Sequence, residues 1–197
     1  MQSSGAEMST SPEIKASYFQ ANIDAIALLG PRRVEVETRM ASEIAATRAA
    51  SRADWLPMAW DQKLCVLINE VGGHDAVIAC NKASFLAATE GAFLRPIIQG
   101  ALRLFGVSPR AILRQVDSTW AAGTRHAGSL LVHSEEDHAT IEHVGMKAGP
   151  EWHIGLVGVL QGVLALTEHD GSAVMRFADD GHPIYDLRWQ PRKNTPR

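Results

Sequence analysis

Histidine is the residue type whose distribution in this chain could do chemistry. Seven of the eight histidines lie between His126 and His182. Imidazole is the commonest metal ligand and a frequent axial ligand of haem, so the skew raises a metal or haem hypothesis. Zinc would need three or four donors converging at ~2.0–2.1 Å. No HExxH and no close CxxC spacing accompanies the histidines, and Cys65 and Cys80 lie far upstream of that half. His133 and His143 could face each other across a hairpin, with His138 near its tip. Histidines scattered over surfaces and turns account for the same pattern. His153, near the start of an apolar helix, is the one candidate for a haem axial ligand.

Other chemistry is thinner. Glu135-Glu136-Asp137 and Asp179-Asp180 are carboxylate runs, but consecutive turn residues point apart and stay solvated, so neither makes an acid/base pair. The chain contains no GxSxG, no P-loop and no GxGxxG. No catalytic residue, metal ligand or cofactor is assigned, and the chain reads as non-enzymatic. Cys65 and Cys80 sit inside apolar helical patterns and read as reduced, buried, small hydrophobes of a cytoplasmic protein. The sharper alternative for them is a disulfide or redox pair.

The totals bound the class. A length of 197 residues suits one domain, and 46% hydrophobic with 21% charged residues is a globular balance. A formal net charge of −3 offers no basic face for nucleic acid. No apolar run reaches the ~20 residues that span a bilayer. Residues 1–10 are polar, carry no secretory pattern and read as a disordered leader. A single α+β domain is expected over residues 11–190, followed by a basic tail at 191–197 with Arg192, Lys193 and Arg197.

The elements that must position these groups follow from periodicity. Ser11-Pro12-Glu13 has the chemistry of a helix start, and Ile14, Tyr18, Ala21, Ala25 and Leu28 follow as one helical stripe, stopped at Gly30-Pro31. A polar, alanine-bearing helix is expected from about Arg32 to Ala50, facing solvent or a partner. Trp55-Leu56-Pro57 reads as a break. A third helix carries Trp60, Leu64, Leu67, Ile68 and Val71 and ends at Gly72-Gly73; a short fourth begins near His74. A fifth holds Phe93, Ile97, Ala101 and Leu104. Ser108-Pro109 starts a sixth, with Ile112, Leu113, Val116 and Trp120 on one side.

After Gly123 the period changes to two. Residues 129–134 and 138–144 alternate and form a hairpin around the acidic turn. Gly149-Pro150-Glu151 opens an apolar helix to near His169. Two further strands follow, around Ala173–Phe177 and Tyr185–Trp189, joined by Asp179-Asp180-Gly181. Four strands with one apolar face each need a helical cover. The fold class is therefore α+β: an N-terminal helical layer packed on a C-terminal antiparallel four-stranded sheet, ββαββ.

Gly155, Gly158 and Gly162 share one face of the last helix. Each glycine costs about 0.8–1 kcal/mol against alanine there. The penalty is offset if the bare backbone sits close to the sheet or to another helix; the alternative use is a groove wall for an elongated apolar ligand. Trp55, Trp60, Trp120, Trp152 and Trp189 each fall near an element end, which fits core edges and also a pocket mouth.

From Trp60 to Trp189 the chain resembles a myxobacterial paralogue family of unknown function. The resemblance rests on Leu104-Phe105-Gly106-Val107-Ser108-Pro109-Arg110-Ala111-Ile112-Leu113, on Trp120 and Gly123, on Trp152, Gly155, Gly158 and Gly162, and on Tyr185-Asp186-Leu187-Arg188-Trp189. That family is distantly similar to the 4-vinyl reductase small-molecule-binding domains, the haem nitric-oxide/oxygen-binding domains and the Bet3-type vesicle-tethering subunits. The resemblance implies a helical layer around an antiparallel sheet with an internal apolar pocket. The gas-sensing relatives use a proximal histidine and a Tyr-x-Ser-x-Arg motif, and neither pattern occurs here.

The expected function is a non-enzymatic cytosolic sensor or regulatory domain that binds a small apolar ligand and signals through a protein partner or homodimer. Phe93, Ile97, Leu104, Trp120, Leu156 and Leu160 are the expected ligand-binding residues. The alternatives are a ligand-free docking module and a haem- or metal-based sensor. Neither nucleic acid nor a membrane span is expected.

Overall fold

The computed structural model describes residues 11–90, 100 and 108–192. The leader at 1–10, the helix expected around Phe93–Leu104 and all of the basic tail beyond Arg192 lie outside them.

The first element corrects the expectation. Ser11-Pro12-Glu13 does not start a helix; Glu13–Lys15 is strand β1. It pairs antiparallel with β2 (Trp55–Pro57) and with β3 (Thr124–Arg125), so the stretch expected to be a break is also a strand. The long-range pairing overrides the local capping signal, and it buries Ile14 and Leu56. Helix α1 (Ala16–Ala25) then begins and continues as a 3-10 turn (Ile26–Arg32). The tighter turn shifts the stripe: Leu29 is buried, and Leu28, expected inside, is exposed.

The polar helix expected over 32–50 is two helices, α2 (Arg33–Arg39) and α3 (Ala41–Ala49), broken at Met40. Their inner faces bury Val36, Met40, Ile44 and Thr47, while most other positions are exposed, as the polar surface expected there requires. Helix α4 (Met58–Glu90) consists of two arms joined at Gly73, whose φ of 76° and ψ of 179° interrupt the helix. The glycine stop was expected; the second arm is long rather than short.

Ser108 caps the next helix as expected, its hydroxyl accepting from the Ala111 amide at 3.2 Å. The helix is α5 (Pro109–Leu113), and a break at Arg114-Gln115 separates it from α6 (Val116–Gly123). Strands β4 (Ser129–Ser134) and β5 (His138–Val144) form the expected hairpin. Helix α7 (Pro150–Leu166) precedes β6 (His169–Phe177) and β7 (Pro183–Pro191). The four-stranded sheet is antiparallel with order β4-β5-β7-β6. An N-terminal helical layer thus packs against a C-terminal four-stranded antiparallel sheet.

Alternation places Ile141, Tyr185, Leu187 and Trp189 inward; Phe177, at the far end of edge strand β6, is exposed. The glycine face of α7 meets a helix, not the sheet. A Cβ at Gly158 would lie 2.3 Å from the Ile78 carbonyl oxygen, and one at Gly162 would lie 2.5 Å from the Phe85 ring, both on the second arm of α4. One apolar cluster fills the space among α1–α4 and another the space between α7 and the sheet; Trp120 and Leu156 pack against both. Among the described residues no helix is long and apolar enough to cross a membrane.

Candidate ligand cavity

Where the two clusters meet, a cavity of about 170 Å³ remains. Helix α1 contributes Tyr18 and Asn22, one turn apart. The first arm of α4 contributes Asp61, and the second contributes Asn81, Ser84, Phe85 and Ala88 at helical spacing. Val116, Thr119 and Trp120 come from α6; Trp152, Leu156, Val159, Leu160 and Val163 come from α7; and Leu130, Ile141 and Tyr185 form the floor on the sheet. The volume is close to the ~150 Å³ of an apolar cavity that admits benzene, and below the ~300–1,000 Å³ of pockets for larger ligands. A more open hollow of about 600 Å³ lies against α1, the 3-10 turn and the second arm of α4. Tyr18, Ser84 and Ala88 line both spaces.

The wall contains a polar seam. Ser84 donates to Asn22 Oδ1, Asn22 Nδ2 donates to Asp61 Oδ1 at 2.7 Å, and Trp152 Nε1 donates to Asp61 Oδ2 at 2.7 Å. Asp61 is 4% exposed. Burial pushes its carboxyl above the usual carboxylate range, and the Trp152 and Asn22 donors pull only partly the other way. Burial, then the proximity of Asp61, holds the Cys65 thiol well up. Burial also raises both lining phenols, Tyr18 and Tyr185.

Beside the seam sits an aromatic block. The Trp120 and Trp152 rings lie edge-to-face at 5.9 Å, and His143 contacts Trp120 at 5.2 Å and His153 at 5.8 Å. His143 Nε2 is paired with the Ala127 carbonyl at 2.8 Å, and His153 Nδ1 with the Tyr185 hydroxyl at 2.8 Å. The first bond makes Nε2 the protonated nitrogen of His143, since a carbonyl can only accept. Burial lowers both imidazoles, and the neighbouring His143 lowers His153 further, to about 4. Both rings are neutral at physiological pH.

Three of the residues expected to line a pocket, Trp120, Leu156 and Leu160, line this cavity. Phe93, Ile97 and Leu104 lie outside the described residues. The histidines do not converge. His143 stands opposite Leu130 and His133 opposite Thr140, so the two do not face each other across the hairpin. Among the described residues no group of three or more His, Cys, Asp or Glu could hold a metal ion. Cys65 and Cys80 are free and buried.

For Asp61 the sequence carries one signal. Asp61, Leu64, Cys65 and Ile68 fall at i, i+3, i+4 and i+7. An acid on the apolar stripe of a helix is buried if the helix is.

No protein-family model and no curated protein matches the sequence. The fold, by contrast, is similar to solved structures. The Fe(II) unliganded H-NOX protein from K. algicida superposes with a TM-score of 0.64 at 10% identity, over 93% of this chain and 100% of that one. An oxygen-binding H-NOX domain related to soluble guanylate cyclases, in its oxygen complex, gives 0.61 at 12% identity, with the same 93% and 100% coverage. A structure probing haem distortion in the H-NOX family gives 0.64 at 12% identity, again over 93% and 100%. At these identities the likeness is one of fold.

The side chains do not fit a haem. No histidine, cysteine or methionine is among the described lining residues. Residues 91–107 contain none either. His153, the candidate axial ligand, is not among the lining residues; its Nδ1 pairs with the Tyr185 hydroxyl. The two lining tyrosines resist the ionisation that phenolate ligation requires.

Proposed function

We propose that this chain is a non-enzymatic sensor domain whose cavity takes a small, mainly apolar molecule about the size of one aromatic ring. The observation that carries the reading is the cavity of about 170 Å³ at the junction of the helical layer and the sheet. A molecule seated there touches α1, both arms of α4, α6, α7 and the sheet at once. Its binding energy can therefore bias how the layers pack, and so a contact with a protein partner or a second copy. Trp120, Leu156 and Leu160 are assigned to the ligand, and Phe93, Ile97 and Leu104 complete the proposed set. Residues 11–190 are proposed as one domain similar to the myxobacterial paralogue family, and the free thiols suit a cytoplasmic setting.

The test is titration of the purified chain with toluene, followed by amide chemical shifts. Saturable shifts confined to residues around Leu156, Leu160 and Trp120 are expected, and Leu156→Trp, which fills the space, should abolish them. Absence of saturable shifts would end the proposal.

The likeness to H-NOX structures favours the haem-sensor alternative over an apolar-ligand one, because those proteins are named for Fe(II), oxygen or haem. The lining residues argue the other way. The absorption spectrum of the chain incubated with haemin decides between them: a stoichiometric Soret band that survives desalting would establish the alternative.

A further inference from the structure

We propose that Asp61 anchors a ligand amine, so that the cavity selects a compact molecule with a one-ring apolar body and a single protonated amino group. The inference rests on the cavity reading above and adds the chemical class of the occupant.

Asp61 lines the cavity and is sequestered from solvent. Each carboxylate oxygen receives one hydrogen bond, from Asn22 and from Trp152, and both donors are neutral. A carboxylate oxygen has room for a further donor. No lysine or arginine is among the described lining residues. Asn22, Asp61 and Asn81 adjoin at one end, with Ser84 bonded to Asn22. The remaining walls are mostly apolar or aromatic, with Gln115, Thr119 and Thr124 as the neutral polar exceptions. A buried acid with neutral donors on both oxygens and no counter-ion among the described residues can take a charge-assisted hydrogen bond from a cation, whose attraction in the low-dielectric interior offsets the desolvation of the pair.

The described titratable groups around Asp61 do not supply a positive charge. On α1, Tyr18 is neutral; on α4, the Cys65 and Cys80 thiols are raised and neutral; on the sheet, so is Tyr185; on α7, His153 is neutral. Glu151 on α7 is a further carboxylate, which also favours a cation. When an ammonium seats against Asp61 it donates a charge-assisted hydrogen bond to a carboxylate oxygen; any proton the acid holds passes to solvent, and no other bond changes. Trp120 and Trp152 line the same cavity.

The test is isothermal titration of the full chain at pH 7 with benzylamine, toluene and benzoate. Benzylamine should bind at least about tenfold more tightly than toluene. Benzoate should not bind. Asp61→Asn should lose the amine preference while still binding toluene. Toluene binding with no preference for benzylamine would overturn this inference and leave the cavity reading standing. Failure of toluene and benzylamine alike would overturn both. The benzylamine–benzoate contrast in the unmodified chain decides the matter even if Asp61→Asn does not fold.

Discussion

Trp152 donates its indole N–H to Asp61 across 91 residues of sequence, at 2.7 Å in a fully buried setting. The bond ties α7 to the first arm of α4, and so joins the sheet's own helix to the helical layer. Removing one partner strands the other, which costs about 1–3 kcal/mol for a buried polar group and more for a charged one.

Trp152→Phe should therefore destabilise the fold by about 2 kcal/mol or more at pH 7 in urea denaturation. Asp61 already has a raised carboxyl, so the native state holds its proton above pH 3.8 while the unfolded state does not. Stability tied to this group falls as pH rises from 3.8 through the raised native value. The variant loses a donor that favours the charged form. Its deficit against the parent should be larger at pH 7 than at pH 4.5.

The histidine pair acts with the opposite sign. His153 takes up a proton near 4 in the native state against 6.5 when unfolded. At pH 7 neither state is protonated and the group contributes nothing. As pH falls from 6.5 to about 4 the unfolded state gains the proton first, and stability drops by a few kcal/mol at most. Urea midpoints of Asp61→Asn, free of the acid's own titration, should fall progressively over that window, and His153→Gln should flatten the decline.

Two glycines should resist alanine for different reasons. Gly158→Ala drives a methyl to 2.3 Å from the Ile78 carbonyl, so α7 must move off α4 at a cost of about 1–3 kcal/mol. Gly73→Ala meets nothing within 4 Å. Its φ of 76° with ψ of 179° lies in a region only glycine tolerates, and the substitution costs about 1–3 kcal/mol through backbone strain. Thermal unfolding should show both losses, while Gly149→Ala, whose only near neighbour is the flexible end of Glu151, should be close to neutral.

Sequence legibility changed along the chain, for physical reasons. Beyond Ser108 most signals were local. The Ser108 cap, the two-residue alternation of β4 and β5, and the Gly181 turn at φ 85° each need only neighbouring residues to declare themselves. At Glu13–Lys15 the deciding partners are Trp55–Pro57 and Thr124–Arg125, and no nearby residue reports them. The apolar side of the cavity was readable because Trp120, Leu156 and Leu160 lie on periodic stripes. Its polar end was not, because Asn22, Asp61 and Ser84 come from separate helical segments and become a group only on folding. The histidine excess was a poor guide: it reflects turns, exposed strand positions and one buried neutral pair.

The strand order has a bearing on how the protein is made. β7 lies between β5 and β6, so the last of the four strands to emerge from a ribosome is an interior one. Until it arrives, the hairpin and β6 are separate pieces with unsatisfied edges, and the platform under α7 has no middle. Assembly of this half must therefore wait for translation to pass Pro191, and a nascent chain stalled before Pro183 would present two open edges to chaperones and to its neighbours.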